Sequence, residues 1–236
     1  MRIKIMVIAA VLVLVFFVSG WGQATSLEGK VMDGKGQPLA NVKVVAKMSQ
    51  PIKGYEQFET TTGSDGAFKF GKLFPTSEYQ LILYSEHWTM ERKIKTESGP
   101  EGQTKMLPEP VTIRFMDSKK GIVLDTKTNL MWAAKDNGAY INLLGMMSYV
   151  ENYRGGGYTD WRMPTQDELA GLYDSAVTGK NGYHLTNSIE LTSCCPVASG
   201  ASASGAVYFD FTHGDRIFTH QSSGDCDRVL PVRSVK

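Results

Sequence analysis

Between residues 27 and 95 apolar positions recur at every second residue, in short bursts separated by glycine-bearing turns. This is the pattern of half-buried strands. Residues 27–46 read as strand, turn, strand. Asp33-Gly34 and Gly36 supply turn conformations at positive φ, and Val42, Val44 and Ala46 then alternate with Lys43 and Lys47. A second turn at residues 63–66 leads into a strand in which Phe68 and Phe70 share a face, and residues 79–84 and 88–95 add two more. Short strands at regular spacing predict a mainly β sandwich over residues 26–115. Residues 97–109 carry Pro100, Gly102 and Pro108 with few apolar positions, the composition of a linker. A boundary is therefore expected at 115–119.

From residue 117 onward the pattern is mixed. Residues 122–124 and 130–133 form a hairpin whose turn holds Asp125, an acceptor for local backbone N–H groups, and Asn129, which tolerates the left-handed conformation. Residues 141–153 show helical spacing, with Leu143, Met146, Met147, Val150 and Tyr153 on one face, and Gly155 to Gly157 end the helix. Thr165 and Glu168 stand at N-cap and N3 of a second helix, a capping box, with Pro164 and Leu169 at the staple positions. That helix is expected to run to about residue 174. Residues 175–205 are polar and rich in glycine and serine, and are expected to be held outward. A final hairpin spans 206–211 and 216–219, and 229–235 is a closing strand. The expectation for 117–236 is an α+β domain.

Composition is that of a globular chain, 42% hydrophobic and 21% charged. Residues 1–24 read as a signal peptide: Arg2 and Lys4, the apolar run 5–18, and the small residues Gly22 and Ala24 flanking Gln23. The run is shorter than the roughly 20 residues of a membrane-spanning helix. An uncleaved N-terminal anchor extended by residues 19–21 is the alternative. Cleavage leaves no span and takes the formal charge from +1 to −1. A near-neutral chain has no general attraction for nucleic acid, which is not expected as a partner. In an oxidising compartment a disulfide from Cys194 or Cys195 to Cys226 is expected; its loop of about 30 residues would stabilise by roughly 3–4 kcal/mol. A vicinal disulfide, or a metal site at the adjacent pair, is the alternative.

Two resemblances extend these readings. The run G-x-V-x-D-x-x-G-x-P-L-x-x-V-x-V from Gly29 to Val44, followed by residues 61–68 and by Leu73, Tyr79 and Leu81, resembles the carboxypeptidase regulatory-like domains. It implies a transthyretin-like or immunoglobulin-like sandwich over 26–115, of a class grouped with carbohydrate-binding-like folds, and implies no peptidase activity. A spacer is the expected role; Tyr55, Phe58 and Trp88 would make either a sugar platform or core packing. The pieces D-x-x-T-x-L-x-W (Asp125 to Trp132), G-G-Y-x-D-W-R-x-P-T-x-x-E-L (Gly156 to Leu169) and V-R-x-V (Val232 to Val235) resemble the C-terminal domain of the Legionella collagen-like protein family. That resemblance implies a C-type-lectin-like α+β fold over 117–236 and, for some members, adhesion to sulfated polysaccharide. Two departures stand out: Asn129 replaces a glycine, and residues 192–195 replace a tryptophan followed by serines.

Candidate chemistry is sparse. Asp160, Trp161 and Arg162, with Asp125, Trp132, Pro164, Thr165 and Glu168, read as a structural motif in which Arg162 pairs with Asp160 or another buried carboxylate. The histidines show no zinc-ligand spacing, and surface histidines explain His213 and His220 beside Asp215. Asp210, Asp215, Asp225 and Asp227 are oxygen ligands in type, yet neither Glu-Pro-Asn nor Trp-Asn-Asp occurs, so no metal and no cofactor is expected. No nucleophile elbow or phosphate loop is present. The expected function is an exported, non-catalytic binding or adhesion protein, periplasmic, surface-bound or secreted, whose partner is a glycan or an envelope protein. Lys180, Tyr183, Tyr208, Arg216 and Arg228 are the candidate ligand contacts, by stacking and by pairing with sulfate or carboxylate groups. A structural module of the envelope is the alternative. An oxidase related to formylglycine-generating enzymes is a third reading, and adjacent cysteines suit its chemistry poorly.

Overall fold

A computed structural model describes residues 23–85, 88–201, 205–219 and 228–235. Nearly all of the leader, together with His87, His220, Cys226, Asp225 and Asp227, lies outside the described residues. Among the described residues no helix is long and apolar enough to cross a membrane.

The chain is mostly β, with several sheets. Eight strands lie in the first half and the linker: β1 (Thr25–Asp33), β2 (Lys43–Met48), β3 (Gln57–Thr61), β4 (Ala67–Leu73), β5 (Glu78–Tyr84), β6 (Thr89–Glu97), β7 (Thr104–Met106) and β8 (Val111–Ile113). β1 is the centre of a four-stranded sheet, antiparallel to β4 and parallel to both β7 and β8. A larger sheet runs β6-β5-β2-β3. The two sheets enclose one core: Leu27 and Val31 of β1 and Phe68 and Phe70 of β4 meet Val44, Ala46, Leu81 and Leu83 of β2 and β5. Burial alternates along β5 as the period-two pattern demands. Tyr55, Phe58 and Trp88 are half-buried and pack against this core. Two glycines are dictated by contact. Gly29 pairs with Phe68, and a Cβ there would sit 2.7 Å from the Phe68 ring. Gly66 closes the turn at φ +70°, where a Cβ would lie 2.4 Å from the Val31 carbonyl oxygen.

The larger sheet does not stop at the linker. β9 (Phe115–Ser118) pairs with β6 at Thr89–Asp117 and with β10 (Ile122–Asp125), and the order continues through β11 (Leu130–Ala133) to β14 (Val232–Ser234). Eight strands thus run unbroken from β3 to β14. Trp88 packs against the core of the first half and against a core of the second. The other elements are α1 (Leu143–Asn152), α2 (Gln166–Leu172) and the separate hairpin β12 (Ala206–Asp210) and β13 (Asp215–Thr219).

Local structure follows the sequence with exceptions. Asn129 adopts φ 57° in the β10–β11 turn, and Lys127 N donates to Asp125 Oδ1. α1 buries Met146 and Val150, but Met147 is 55% exposed; Tyr149 and Tyr153 pack on the core in its place. Positions 146, 149, 150 and 153 form the inward stripe, and Met147 stands about 100° away from Met146 around the helix axis. α1 ends at Tyr153, in extended backbone, before the glycines begin. α2 carries the full reciprocal capping box of Thr165 and Glu168 but stops at Leu172.

Two expectations need correction. Residues 175–205 are not held outward as a whole: Leu185, Ile189, Leu191, Val197 and Ala198 are buried. Val197 bridges Tyr208, and Ala198 N donates to the Val207 carbonyl, so this irregular chain is stitched along β12. Each buried apolar side chain stabilises by roughly 1.5–3 kcal/mol, which an outward loop would forgo. The disulfide joins Cys194 to its neighbour Cys195. A bond between adjacent residues closes no long loop, so the expected chain-entropy stabilisation is absent. Cys226 is then the odd thiol.

Candidate functional site

The charged motif residues of the D-W-R, P-T-x-x-E-L and V-R-x-V segments are consumed by two arginine–carboxylate forks, and a third holds the D-x-x-T-x-L-x-W segment. Arg162 binds Glu168 through both guanidinium nitrogens, at 2.7 and 2.6 Å. Its partner is therefore the capping-box glutamate, not Asp160. The hydrogen bonds from Arg162 hold the Glu168 carboxyl below its usual range, against the opposing effect of burial. Asp160 instead accepts from Arg233, at 2.7 and 3.1 Å, with the Arg233 guanidinium 3.8 Å above the Tyr158 ring. Backbone pairing of Arg162 with Val232 in both directions brings these segments side by side. Asp125, the first residue of the D-x-x-T-x-L-x-W segment, is 1% exposed and takes a fork from Arg114 at 3.2 and 2.9 Å. Trp132 is fully buried and Trp161 nearly so, the latter edge-on to Tyr153.

The proposed ligand contacts do not converge. Tyr208 is 3% exposed and belongs to the core, so its ring cannot stack on a ligand from solvent. β12 is buried on both faces: Ala206 and Tyr208 enter one core, Val207 and Phe209 another. Tyr183 is half-buried against that second core. Arg216 is exposed and paired with Asp167 of α2. Arg228 donates from Nε to Thr192 Oγ1 at 3.0 Å. Thr192 is in turn held by the buried Asp136, which accepts from its N and Oγ1 and from Gly138 N. Sequence reading missed Asp136, Arg114 and Arg233; Arg233 stood within a quoted motif, and its partner 73 residues away gave no signal.

Lys180 alone lines a large groove. Its volume is about 820 Å³, and it opens between the β8–β9 segment and the chain that follows α2. Phe115 and Lys119 come from one wall; Lys180, Thr186, Asn187 and Ser188 come from the other. Arg114 braces the floor, donating to Asp125 and to the Gly171 carbonyl at the end of α2, with its guanidinium 4.5 Å over the Phe115 ring. Lys119 and Lys180 are exposed and enter no ion pair among the described residues. The groove thus offers hydroxyl and amide groups, one aromatic ring, two ammonium groups without an ion pair among the described residues, and the carboxylates of Asp117 and Asp174.

Residues 121–233 match the Lcl C-terminal domain family. No curated relative matches the chain at a significant level. Among solved structures, one similarity is to the dioxygenase domain of a dioxygenase carbohydrate-binding protein fusion from Streptomyces sp. SirexAA-E. It has 17% identity over 34% of this chain and 58% of that one, at a TM-score of 0.24. Another is to a 9R-lipoxygenase from Cyanothece PCC8801, with 12% identity over 41% of this chain and 19% of that one, at a TM-score of 0.22. The aligned stretches span less than two thirds of either protein.

Proposed function

We propose that this chain is an exported, non-catalytic binding protein that holds an anionic polysaccharide in the groove between Lys119 and Lys180. One observation carries the reading. The charged motif residues are spent on internal forks, whereas the groove keeps two lysines that enter no ion pair among the described residues, beside Thr186, Asn187 and Ser188 and with Asp117 and Asp174 also in the lining. Sulfate or uronate groups would meet the ammonium groups, ring hydroxyls would meet the amide and hydroxyls, and Phe115 would take an apolar sugar face. Within this proposal residues 117–236 form a C-type-lectin-like α+β body. Residues 26–115 form a carboxypeptidase regulatory-like spacer, supported by their two sheets around one core.

A glycan array with sulfated and neutral polymers, read at low and physiological salt, tests this. Sulfated polymers are expected to bind, more weakly at high salt as screening demands. Each exposed lysine–sulfate contact contributes up to about 1 kcal/mol, so the Lys119→Ala/Lys180→Ala double variant loses roughly 5- to 30-fold in affinity. A flat array, or an unchanged double variant, rejects the glycan reading. An envelope assembly module is the second reading, favoured by the exposed Tyr140, Leu144 and Met147 around α1. It gains from a flat array combined with self-association that Leu144→Glu abolishes.

A further inference from the structure

We propose that Cys194, Cys195 and Asp210 form a redox-gated site for one thiophilic divalent metal ion, closed as the disulfide and opened by reduction. The two sulfurs and one Asp210 carboxylate oxygen lie within 4.8 Å of one another, and all three residues are partly exposed, so both a reductant and an ion can reach them. Three ligand atoms gathered from positions 16 residues apart in sequence need a frame, and the backbone supplies it. Phe211 N donates to the Cys194 carbonyl at 2.9 Å, and Phe209 N to that of Pro196 at 3.3 Å. These bonds clamp the cysteine pair against the end of β12, where Asp210 opens the hairpin. The carboxylate is oriented as well: Oδ1 accepts from Thr212 N at 2.7 Å, and Oδ2 lies 2.9 Å from His213 Nδ1. Partners of this kind fix a ligating carboxylate and tune its affinity.

The chemistry selects the ion. Two thiolates favour soft or borderline metals over calcium or magnesium, and a single carboxylate completes a set that zinc accepts. In a tetrahedral zinc site with Zn–S bonds of about 2.3 Å the sulfurs stand roughly 3.8 Å apart. Cleavage of the disulfide therefore needs only side-chain rotation to reach that spacing. The fourth position stays open to water. Reduction is a two-electron exchange with a dithiol: the S–S bond breaks, each sulfur gains a proton, and the dithiol leaves as its own disulfide. Zinc then displaces both protons and forms two Zn–S bonds, with Asp210 as the third ligand. In the oxidised protein the sulfurs are bonded to each other and hold no ion. None of the groove residues takes part, so this inference stands apart from glycan binding.

The test uses the full-length chain, oxidised and phosphine-reduced, dialysed against zinc, with bound metal counted by mass spectrometry. Cadmium substitution adds a direct readout through the ultraviolet thiolate-to-cadmium charge-transfer band. Peptide mapping of the unreduced protein identifies the native pairing. The Cys226→Ser background removes the third thiol, and circular dichroism checks that each variant remains folded. The expected result is one zinc per reduced chain in both wild type and Cys226→Ser, none per oxidised chain, and the cadmium band only after reduction. Cys194→Ser and Cys195→Ser each abolish the band. Asp210→Asn keeps the fold and weakens zinc binding by about 10- to 100-fold or more, at least the loss seen when an orienting partner is removed. Zinc bound equally by the oxidised protein overturns the proposal. So do a native disulfide to Cys226, loss of the site in Cys226→Ser, and indifference of a folded Asp210→Asn chain.

Discussion

Replacing Asp160 by alanine removes one half of the Arg233 fork and leaves the guanidinium in place. The Arg233 side chain is 7% exposed, while Asp160 is 39% exposed. Breaking a fully buried pair costs about 3–5 kcal/mol, because a desolvated charge is left uncompensated. Here water reaches the carboxylate side, and Arg233 keeps the Tyr158 ring, a contact contributing about 0.5–1 kcal/mol. The expected loss is therefore roughly 2–3 kcal/mol. The neighbouring fork gives the contrast. Arg162 is 42% exposed and its partner Glu168 19%. Solvent screens that pair, and Glu168 retains its bond from Thr165 N after truncation, so Arg162→Ala should cost only about 1 kcal/mol. A difference of about 1.5 kcal/mol separates the urea midpoints by roughly 0.5–1.5 M at ordinary slopes. Tryptophan fluorescence reads it, since Trp132 and Trp161 lie in the affected cores. Asp160→Ala/Arg233→Met should recover part of the loss, because an apolar side chain needs no counter-charge. If Arg162→Ala lowers the midpoint as far as Asp160→Ala at equal slope, burial is not what ranks these forks.

Two further outcomes follow from local geometry. Gly66→Ala should destabilise by about 2 kcal/mol or more, since it adds the left-handed penalty of about 1–2 kcal/mol to a collision with the Val31 carbonyl; Gly36→Ala, at φ +77° with open space around it, should cost only the penalty. Equal urea midpoints for the two variants would remove the collision from the account. The depressed Glu168 carboxyl contributes stability that is fully present above the unfolded glutamate value of about 4.3 and is lost as pH falls through its lower folded value. The midpoint gap between wild type and Glu168→Gln should accordingly narrow from pH 7 toward pH 3, and a gap that widens refutes the assignment.

The parts legible in the sequence are those whose signal is local. β1 and β5 announced themselves by alternation because each faces one core on one side; β2 shows the same sequence alternation although Val45 on its other face is buried as well. The α2 capping box was legible because its partners are three residues apart. The parts that escaped depend on distant neighbours. β12 is apolar on both faces because two cores enclose it, so period two could not separate an inward Tyr208 from an outward one. Leu185, Ile189, Leu191 and Val197 sit in irregular backbone, where burial has no period and only tertiary packing decides it. Arginine partners were ambiguous for the same reason: Asp160 is two residues from Arg162 and Glu168 six, yet the backbone bridge of Arg162 to Val232 places Arg233 on Asp160 and leaves Glu168 to Arg162. The groove was visible only through Lys180, because its other wall comes from residues 112–119, at the expected boundary, where no local pattern marked a site.

The forks also set where variation in ligand can be tolerated. Arg114–Asp125, Arg162–Glu168 and Arg233–Asp160 tie the β8–β9 segment, the α2 entry and the closing strand into one frame. Their geometry does not depend on anything bound, so the most distinctive residues of the second half are poor guides to its ligand. On the proposed function, recognition falls to side chains that this frame leaves uncommitted; Lys119 and Lys180 enter no ion pair among the described residues, while Arg162, Arg216 and Arg233 do. The same frame explains why the β8–β9 segment matters. Phe115 and Lys119 are carried by or adjoin β9, whose pairing with β6 on one side and β10 on the other fixes the groove wall. A fragment beginning at residue 121 keeps every residue matched by the family and loses that wall. It also loses Arg114 and leaves the buried Asp125 carboxylate without its fork, so such a fragment lacks both the groove wall and part of the frame.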